Sequence, residues 1–454
     1  MNSVQLEDLM DDYRLLADAL AADITAGRLR PGDRLLPQRQ FARQHRIAAS
    51  TAARVYRELV RRGLAVGEVG RGTFVRAATP PLEPALAEPG GARVDLELNF
   101  PVLAEQPALL AQGLGRMLRP DVLATALQPV GVSGTPAARE AAALLLSRAG
   151  WAPDPQRLLF AGNGRQAIAA AIAALVPVGE RLGVEPLTYP VVKAIAARLG
   201  ITLVPLAMDE AGLIPDALRS VHRATPLRAV YLQPTLHNPL GVTMPEQRRA
   251  ALAELLHQLD VYAIEDAIYA FLREDLPPLA ALAPEHTILV DSLSKRLAPG
   301  LTLGFASTPA RLTDRVAAAL RSGAWAAPRF ALDAATEWII DGTAAAIGQA
   351  KRLDAASRQE ITRTRLAGFA IHGDPHAYHC WWDLPEPWRA DTFVAAASRH
   401  GIAVTPAAAF AVNPSHAPNA VRLALSSPTI QALSSALDTL AALAHGTHED
   451  IGVE

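Results

Sequence analysis

Seven short apolar runs, alternating with helical patterns, leave this chain few folds to choose from. They are Leu158-Leu159-Phe160, Arg181 to Val184, Ile201 to Met208, Ala229 to Leu232, Val261 to Ile264, Thr287 to Val290 and Leu301 to Ala306. Strands buried on both faces read as continuous apolar runs, and the helices between them supply the crossovers that parallel pairing needs. The pattern predicts an α/β body built on a large, mostly parallel sheet of seven strands. In open sheets of this kind ligands sit beyond the carboxyl ends of the strands. Unusual polar residues at those ends are therefore candidates for chemistry.

The sixth run leads into Asp291-Ser292-Leu293-Ser294-Lys295-Arg296. Of the 43 basic residues only Lys193, Lys295 and Lys351 are lysines. Arginine stays charged, whereas lysine can lose its proton and condense with an aldehyde. A lysine in a turn is ordinarily a surface cation, but Lys295 stands at a strand end, while Lys193 and Lys351 lie in helical patterns. Other strand ends carry their own polar groups. Gly162-Asn163-Gly164-Arg165-Gln166 opens the alanine-rich helix Ala167 to Leu175; such a turn is often only a turn, yet it offers backbone donors and a helix N-terminus to a phosphate. Thr188-Tyr189-Pro190 follows the second run, with a tyrosine suited to the core or to stacking on a flat ring. Pro234-x-x-His237-Asn238-Pro239 follows the fourth run, and Glu265-Asp266-Ala267-Ile268-Tyr269 the fifth. A pyridine aldehyde phosphate needs these pieces together: an amine, a carboxylate at the ring nitrogen, a donor at the ring hydroxyl, an aromatic face and a phosphate cradle.

The N-terminal part has a different character. Arg28 to Arg76 holds twelve arginines against Asp33, Glu58 and Glu68, although the whole chain has a net charge of −2. A basic block is the footprint of a phosphate-binding surface, or else a solvated helical face. The local pattern predicts helices over Tyr13 to Ala26, ending at Gly27, over Gln38 to His45, and over Ser50 to Arg62, stopped by Gly63. Ser50 or its neighbour is the expected N-cap of the third, with Val55, Leu59 and Val60 facing inward. Short strands Leu64-Ala65-Val66 and Thr73-Phe74-Val75 flank a glycine-rich tip, Gly67 to Gly72. Three helices and a small hairpin make a winged helix-turn-helix, whose third helix would enter the major groove of double-stranded DNA.

At 454 residues, half of them apolar, the chain predicts more than one domain. The expected division is a DNA-binding domain over 1–76, a Pro/Gly-rich linker over 77–93, and a body over 94–454 with a small C-terminal α/β subdomain from about 350. Seventeen linker residues reach at most ~56 Å. The single cysteine, Cys380, excludes a disulfide framework and any cysteine-rich metal site, so no metal is expected and a buried structural thiol is. No basic leader and no membrane-length apolar run is visible, which predicts a cytoplasmic protein without a membrane partner.

The head resembles the GntR family of bacterial regulators through Gly27-x-Leu29-x-Pro31-Gly32-Asp33-Arg34-Leu35, Arg39, Thr51, Tyr56, Leu59, Gly63-Leu64 and Gly72-Thr73-Phe74-Val75. The resemblance implies DNA contacts from Arg39, Ser50, Thr51, Arg54, Arg71 and Gly72. Ala48-Ala49 stands where that family usually has an arginine, with Arg46 or Arg54 as substitutes. The body resembles the fold-type I pyridoxal-phosphate aminotransferases. That resemblance implies pyridoxal 5'-phosphate as cofactor, an internal aldimine on Lys295, Asp266 at the pyridine nitrogen, Asn238 and Tyr269 at the phenolic oxygen, and Tyr189 stacked on the ring. Asn163, Gly164, Arg165, Ser292 and Ser294 would hold the phosphate. Arg422, in Asn419-Ala420-Val421-Arg422-Leu423, would grip an effector carboxylate. Two positions depart from the class: Thr302 replaces an arginine seven residues after the lysine, and Leu127 to Gly134 lacks the tyrosine that would serve a neighbouring subunit.

A GntR-type head on an aminotransferase-like body resembles the MocR group of bacterial regulators. The resemblance implies a homodimeric transcription factor that senses the cofactor, or an amino acid or other amine. A working aminotransferase with an accessory DNA-binding head is the alternative. Turnover of amino-group transfer separates the two.

Overall fold

The computed structural model describes residue 13 and residues 15–24, 28–30, 32–61, 64–68, 71–75 and 92–446. The expectations for Gly27, for Arg62-Gly63, for Val69-Gly70 and for most of the linker lie outside the described residues.

In the head, residues 15–24 are helical and are followed by helices Gln38–Gln44 and Ala49–Arg61. Strands β1 (Ala65–Glu68) and β2 (Gly72–Val75) pair antiparallel, Ala65 opposite Val75. Ala52, Val55, Tyr56 and Leu59 are buried on the third helix, a stripe at spacings of three and four that packs on Phe41. Val60, expected inside, is 44% exposed because it falls one position past that stripe. Nor does Ser50 cap the helix. The first turn closes onto Ala48, whose carbonyl accepts from the Thr51 and Ala52 amides at 3.0 and 3.1 Å, so Ser50 is already helical. Gly72 has φ +124°, and a Cβ there would lie 2.8 Å from Arg34 Nε, so glycine is required at that turn.

The body begins with β3 (Val94–Leu96), and its main sheet is built from β4 (Leu158–Ala161), β5 (Arg181–Val184), β6 (Thr202–Pro205), β9 (Ala229–Leu232), β10 (Tyr262–Asp266), β11 (Thr287–Ser292) and β12 (Gly304–Ser307), in the order β4-β12-β11-β10-β9-β5-β6. Only β12 runs antiparallel to its neighbours. The third run is shorter than expected: β6 ends at Pro205 on the sheet edge, just before a last bond from the Leu206 amide to the Val184 carbonyl at 2.8 Å, and Met208–Asp209 (β7) turns back on Gly212–Leu213 (β8). The seventh strand starts late because Pro299–Leu301 forms a 3₁₀ turn.

A second sheet orders β13 (Ala370–His372), β14 (His379–Asp383), β16 (Ala420–Ala424), β15 (Ile402–Pro406) and β3, with β3 parallel to β15. The first strand of the body thus completes a sheet otherwise made from its C-terminal part. Trp382, Trp388 and Phe393 pack its core against the helix Ile430–His445, and Cys380 is a buried free thiol pushed up to about 12 by burial. No helix among the described residues is long and apolar enough to cross a membrane.

Candidate functional site

A cavity of about 340 Å³ opens at the carboxyl ends of β4, β5, β9, β10 and β11, where the predicted polar residues gather. Its floor is Asp266, the last residue of β10. Tyr231 donates to Asp266 Oδ2 at 2.5 Å, Gln233 Nε2 donates to the same oxygen at 2.9 Å, and the Ile268 amide donates to Oδ1 at 3.1 Å. All three donors are formally neutral. Burial raises this carboxyl to about 6, and the hydrogen bonds only partly oppose the rise. Gln233 also accepts from the Asn238 amide at 3.0 Å, tying the loop after β9 to the floor. Sequence reasoning missed Tyr231 and Gln233. Gln233 carries the signal that picked out the others, a polar residue directly after a buried apolar strand; Tyr231 sits within the run and carries none.

Lys295 lies in the short helix Leu293–Arg296 after β11. Its Nζ donates to the Asn99 carbonyl and stands 4.4 Å from the Phe100 ring centroid. Burial, with Arg422 and Arg165 nearby, brings the ammonium down to about 7. Asn99 was not anticipated. Its Nδ2 donates to the Tyr269 hydroxyl at 3.3 Å and its Oδ1 accepts from Ser426 at 3.2 Å. Lys351, expected only as a helical residue, is fully buried in the helix Thr343–Arg365. Its ammonium donates to the Leu297 carbonyl and, at 2.9 Å, to that of Lys295 itself, which braces the turn from behind.

At one end of the cavity Asn163 caps the helix Gly164–Leu175, its Oδ1 accepting from the Gln166 amide at 3.0 Å. A Cβ on Gly164 would come within 3.0 Å of Ser292 Oγ, so the helix start and the β11 end approach as closely as glycine allows. Ser292, Ser294 and Thr302 form a hydroxyl chain, with oxygens 2.8 and 2.7 Å apart. Arg165 Nε donates to the Tyr189 hydroxyl at 3.2 Å, placing a guanidinium beside the tyrosine. Burial raises the Tyr189 phenol, and burial takes that of Tyr269 up to about 12.

At the other end Arg422 projects from β16. It donates to Asn238 Oδ1 at 3.3 Å, to Thr405 Oγ1 at 3.1 Å and to the Glu97 carbonyl, and its guanidinium carbon lies 5.1 Å from the Phe410 ring centroid. Its Nε is buried without a hydrogen-bond partner. Such a donor is costly unless something enters to accept from it. In the head, Arg39, Ser50, Arg54 and Arg71 are exposed, while Thr51 and Gly72 are half-buried. Arg54 lies beyond the first turn of the third helix, on the side away from the Val55–Leu59 stripe.

Residues 126–440 match the family described as aminotransferase class I and II, and residues 12–75 match bacterial regulatory proteins of the gntR family. An HTH-type transcriptional regulator of Bacillus subtilis, YdeF, is 29% identical over 428 residues, which cover 94% of this chain and 92% of its own. The vitamin B6 salvage pathway transcriptional repressor PtsJ of Salmonella typhimurium is 27% identical over 434 residues, 94% of this chain and 96% of its own. Among solved structures, the α-aminoadipate aminotransferase of Thermus thermophilus, complexed with N-(5'-phosphopyridoxyl)-L-leucine, superposes with a TM-score of 0.69 at 21% identity, covering 77% of this chain and 91% of that one. The match spans both the head and the seven-stranded body, and the chain belongs to the aminotransferase class I and II family, in the MocR arrangement that places a gntR-family head on that body.

Proposed function

We propose that this chain is a DNA-binding transcriptional regulator whose body holds pyridoxal 5'-phosphate at Lys295 and reads the cofactor, an amino compound, or both. One observation carries the reading: a buried near-neutral amine, a carboxylate held only by neutral donors and an arginine with an unpartnered Nε line one cavity. When bound, the cofactor supplies an aldehyde that condenses with amines and a ring that withdraws electrons. Lys295 offers the amine, and its lowered proton affinity keeps a substantial neutral fraction near pH 7. Asp266 would keep a proton on the ring nitrogen. Asn238 and Tyr269 would bond the ring hydroxyl, and Tyr189 would stack on the ring.

The phosphate would rest on Asn163, Gly164 and Arg165 with the Ser292 and Ser294 hydroxyls. Arg165 supplies the guanidinium that Thr302 does not. Arg422 takes the carboxylate of the effector. The names of the relatives support regulation over metabolism: the full-length matches are to transcriptional regulators, and PtsJ is named for vitamin B6 salvage. The head, 1–76, reaches double-stranded DNA through Arg39, Ser50, Thr51, Arg54, Arg71 and Gly72, and the linker, 77–93, joins it to the body, 94–454, of a cytoplasmic homodimer.

The test is to titrate a fragment of the protein's own upstream DNA with and without pyridoxal phosphate and amino acids, using wild type and Lys295→Ala. A differential effect of about 5- to 150-fold is expected in wild type and none in the variant. Equal affinity under every condition would overturn the sensor reading, and sustained amino-group transfer to a keto acid would favour an enzyme. In the same assay Arg54→Ala should weaken DNA binding and reduce its salt slope by about one.

A further inference from the structure

The carboxylates lining the cavity are not alike. Asp266 has its three donors, and Asp291 is paired with Arg296 at 2.9 Å. Glu97 lines the same cavity, yet among the described residues its carboxylate has neither a hydrogen bond nor an ion pair. Its backbone is held on both sides: the amide donates to Asp95 Oδ1 at 2.7 Å and the carbonyl accepts from Arg422. The side chain therefore stays at the Arg422 end of the cavity. Burial and the neighbouring Asp95 raise its proton affinity, and Arg422 opposes them. A half-buried carboxylate with neither a hydrogen bond nor an ion pair in a binding cavity is costly unless a ligand brings a partner.

We propose that Glu97 reads a second cationic group on the effector, so that the site selects amino acids with an amine or guanidine on the side chain. The proposal rests on the reading of Lys295 and Arg422 given above. The amino nitrogen engages the cofactor site, the carboxylate accepts from the unpartnered Nε of Arg422, and the side-chain cation meets Glu97. Because Arg422 is bonded to Glu97's own carbonyl, the two anchors are neighbours, and a side chain of three or four methylenes curling back is the suitable class of ligand.

Full-length protein with pyridoxal phosphate is titrated with L-ornithine and L-lysine and with their counterparts lacking the terminal amine, L-norvaline and L-norleucine. Cofactor absorbance and thermal unfolding are both followed. In wild type at least one basic member should bind about tenfold or more tightly than its counterpart. Glu97→Gln should abolish the preference and Glu97→Asp should reduce it. Equal affinity within both pairs, a preference that survives in Glu97→Gln, or no response to any of the four with the cofactor bound would each overturn the proposal. Failure of wild type to retain pyridoxal phosphate would instead overturn the cofactor reading beneath it. The wild-type comparison alone decides the matter if the variants do not fold.

Discussion

Glu265 and Asp266 are neighbours on one strand, and the two sides of the sheet treat them in opposite ways. Glu265 faces cations: Arg148 at 3.2 Å and Arg249 at 4.0 Å, with the Ala280 amide completing the set at 3.0 Å. Asp266 faces a phenol, an amide side chain and a backbone N–H. Alternation along a strand puts adjacent side chains on opposite faces, so a single step in sequence separates scaffold from site. A carboxylate answered by guanidinium groups is complete. One answered by neutral donors keeps its negative charge available to a cationic partner from outside.

The hardest blow to this contrast is Glu265→Ala. It strands Arg148 in the interior, where two of its nitrogens already lack partners, and removes the counter-charge near Arg249, so a loss of about 3–5 kcal/mol is expected by denaturant unfolding. A loss under about 1 kcal/mol would show that water reaches the network. Asp266→Ala should act mainly on the ligand, with cofactor affinity falling by about thirty- to a hundredfold in an absorbance titration. The third effect is a pH slope. Asp266 titrates at about 6 when folded and near the ordinary ~3.9 when unfolded, so between those values the native state binds more protons. Stability of the cofactor-free chain should therefore fall by on the order of 2–3 kcal/mol as pH rises from about 4 to 6, and Asp266→Asn should flatten the slope. Lys351 acts with the opposite sign. Burial lowers its ammonium to about 7, so the unfolded chain binds more protons between about 7 and 10.4 and stability rises through that window. In Lys351→Met part of that rise disappears, and the freed carbonyls of Lys295 and Leu297 cost about 1–3 kcal/mol.

These contrasts also mark where sequence reasoning reached and where it stopped. Residues at strand ends were legible because they belong to local patterns: a buried run, a break, then a polar group that a turn does not need. Lys295, Asp266, Asn238, Tyr269 and the Gly162 to Gln166 turn all come from such patterns, and all but Gly162 and Gln166 line the cavity. Residues whose meaning depends on a distant partner were not legible. Asn99 meets Tyr269 across 170 positions, and Lys351 meets Lys295 across 56. Nothing local distinguishes a lysine that braces a carbonyl from one that points to water. The helix errors have a similar origin, since Val60 fits an apolar pattern and lies just off the packed stripe, and an alanine at the cap position carries no signal at all.

The placement of β3 has a consequence for how occupancy of the cavity reaches the rest of the chain. Toward its C-terminal side this strand leads directly into Glu97 and Asn99, which touch the arginine and lysine of the cavity. Toward its N-terminal side it continues as Arg93 and the segment running to the DNA-binding head. Three residues, clasped in parallel by Ile402, Ala403 and Val404, therefore form the whole covalent span between what the cavity holds and the tether of the head.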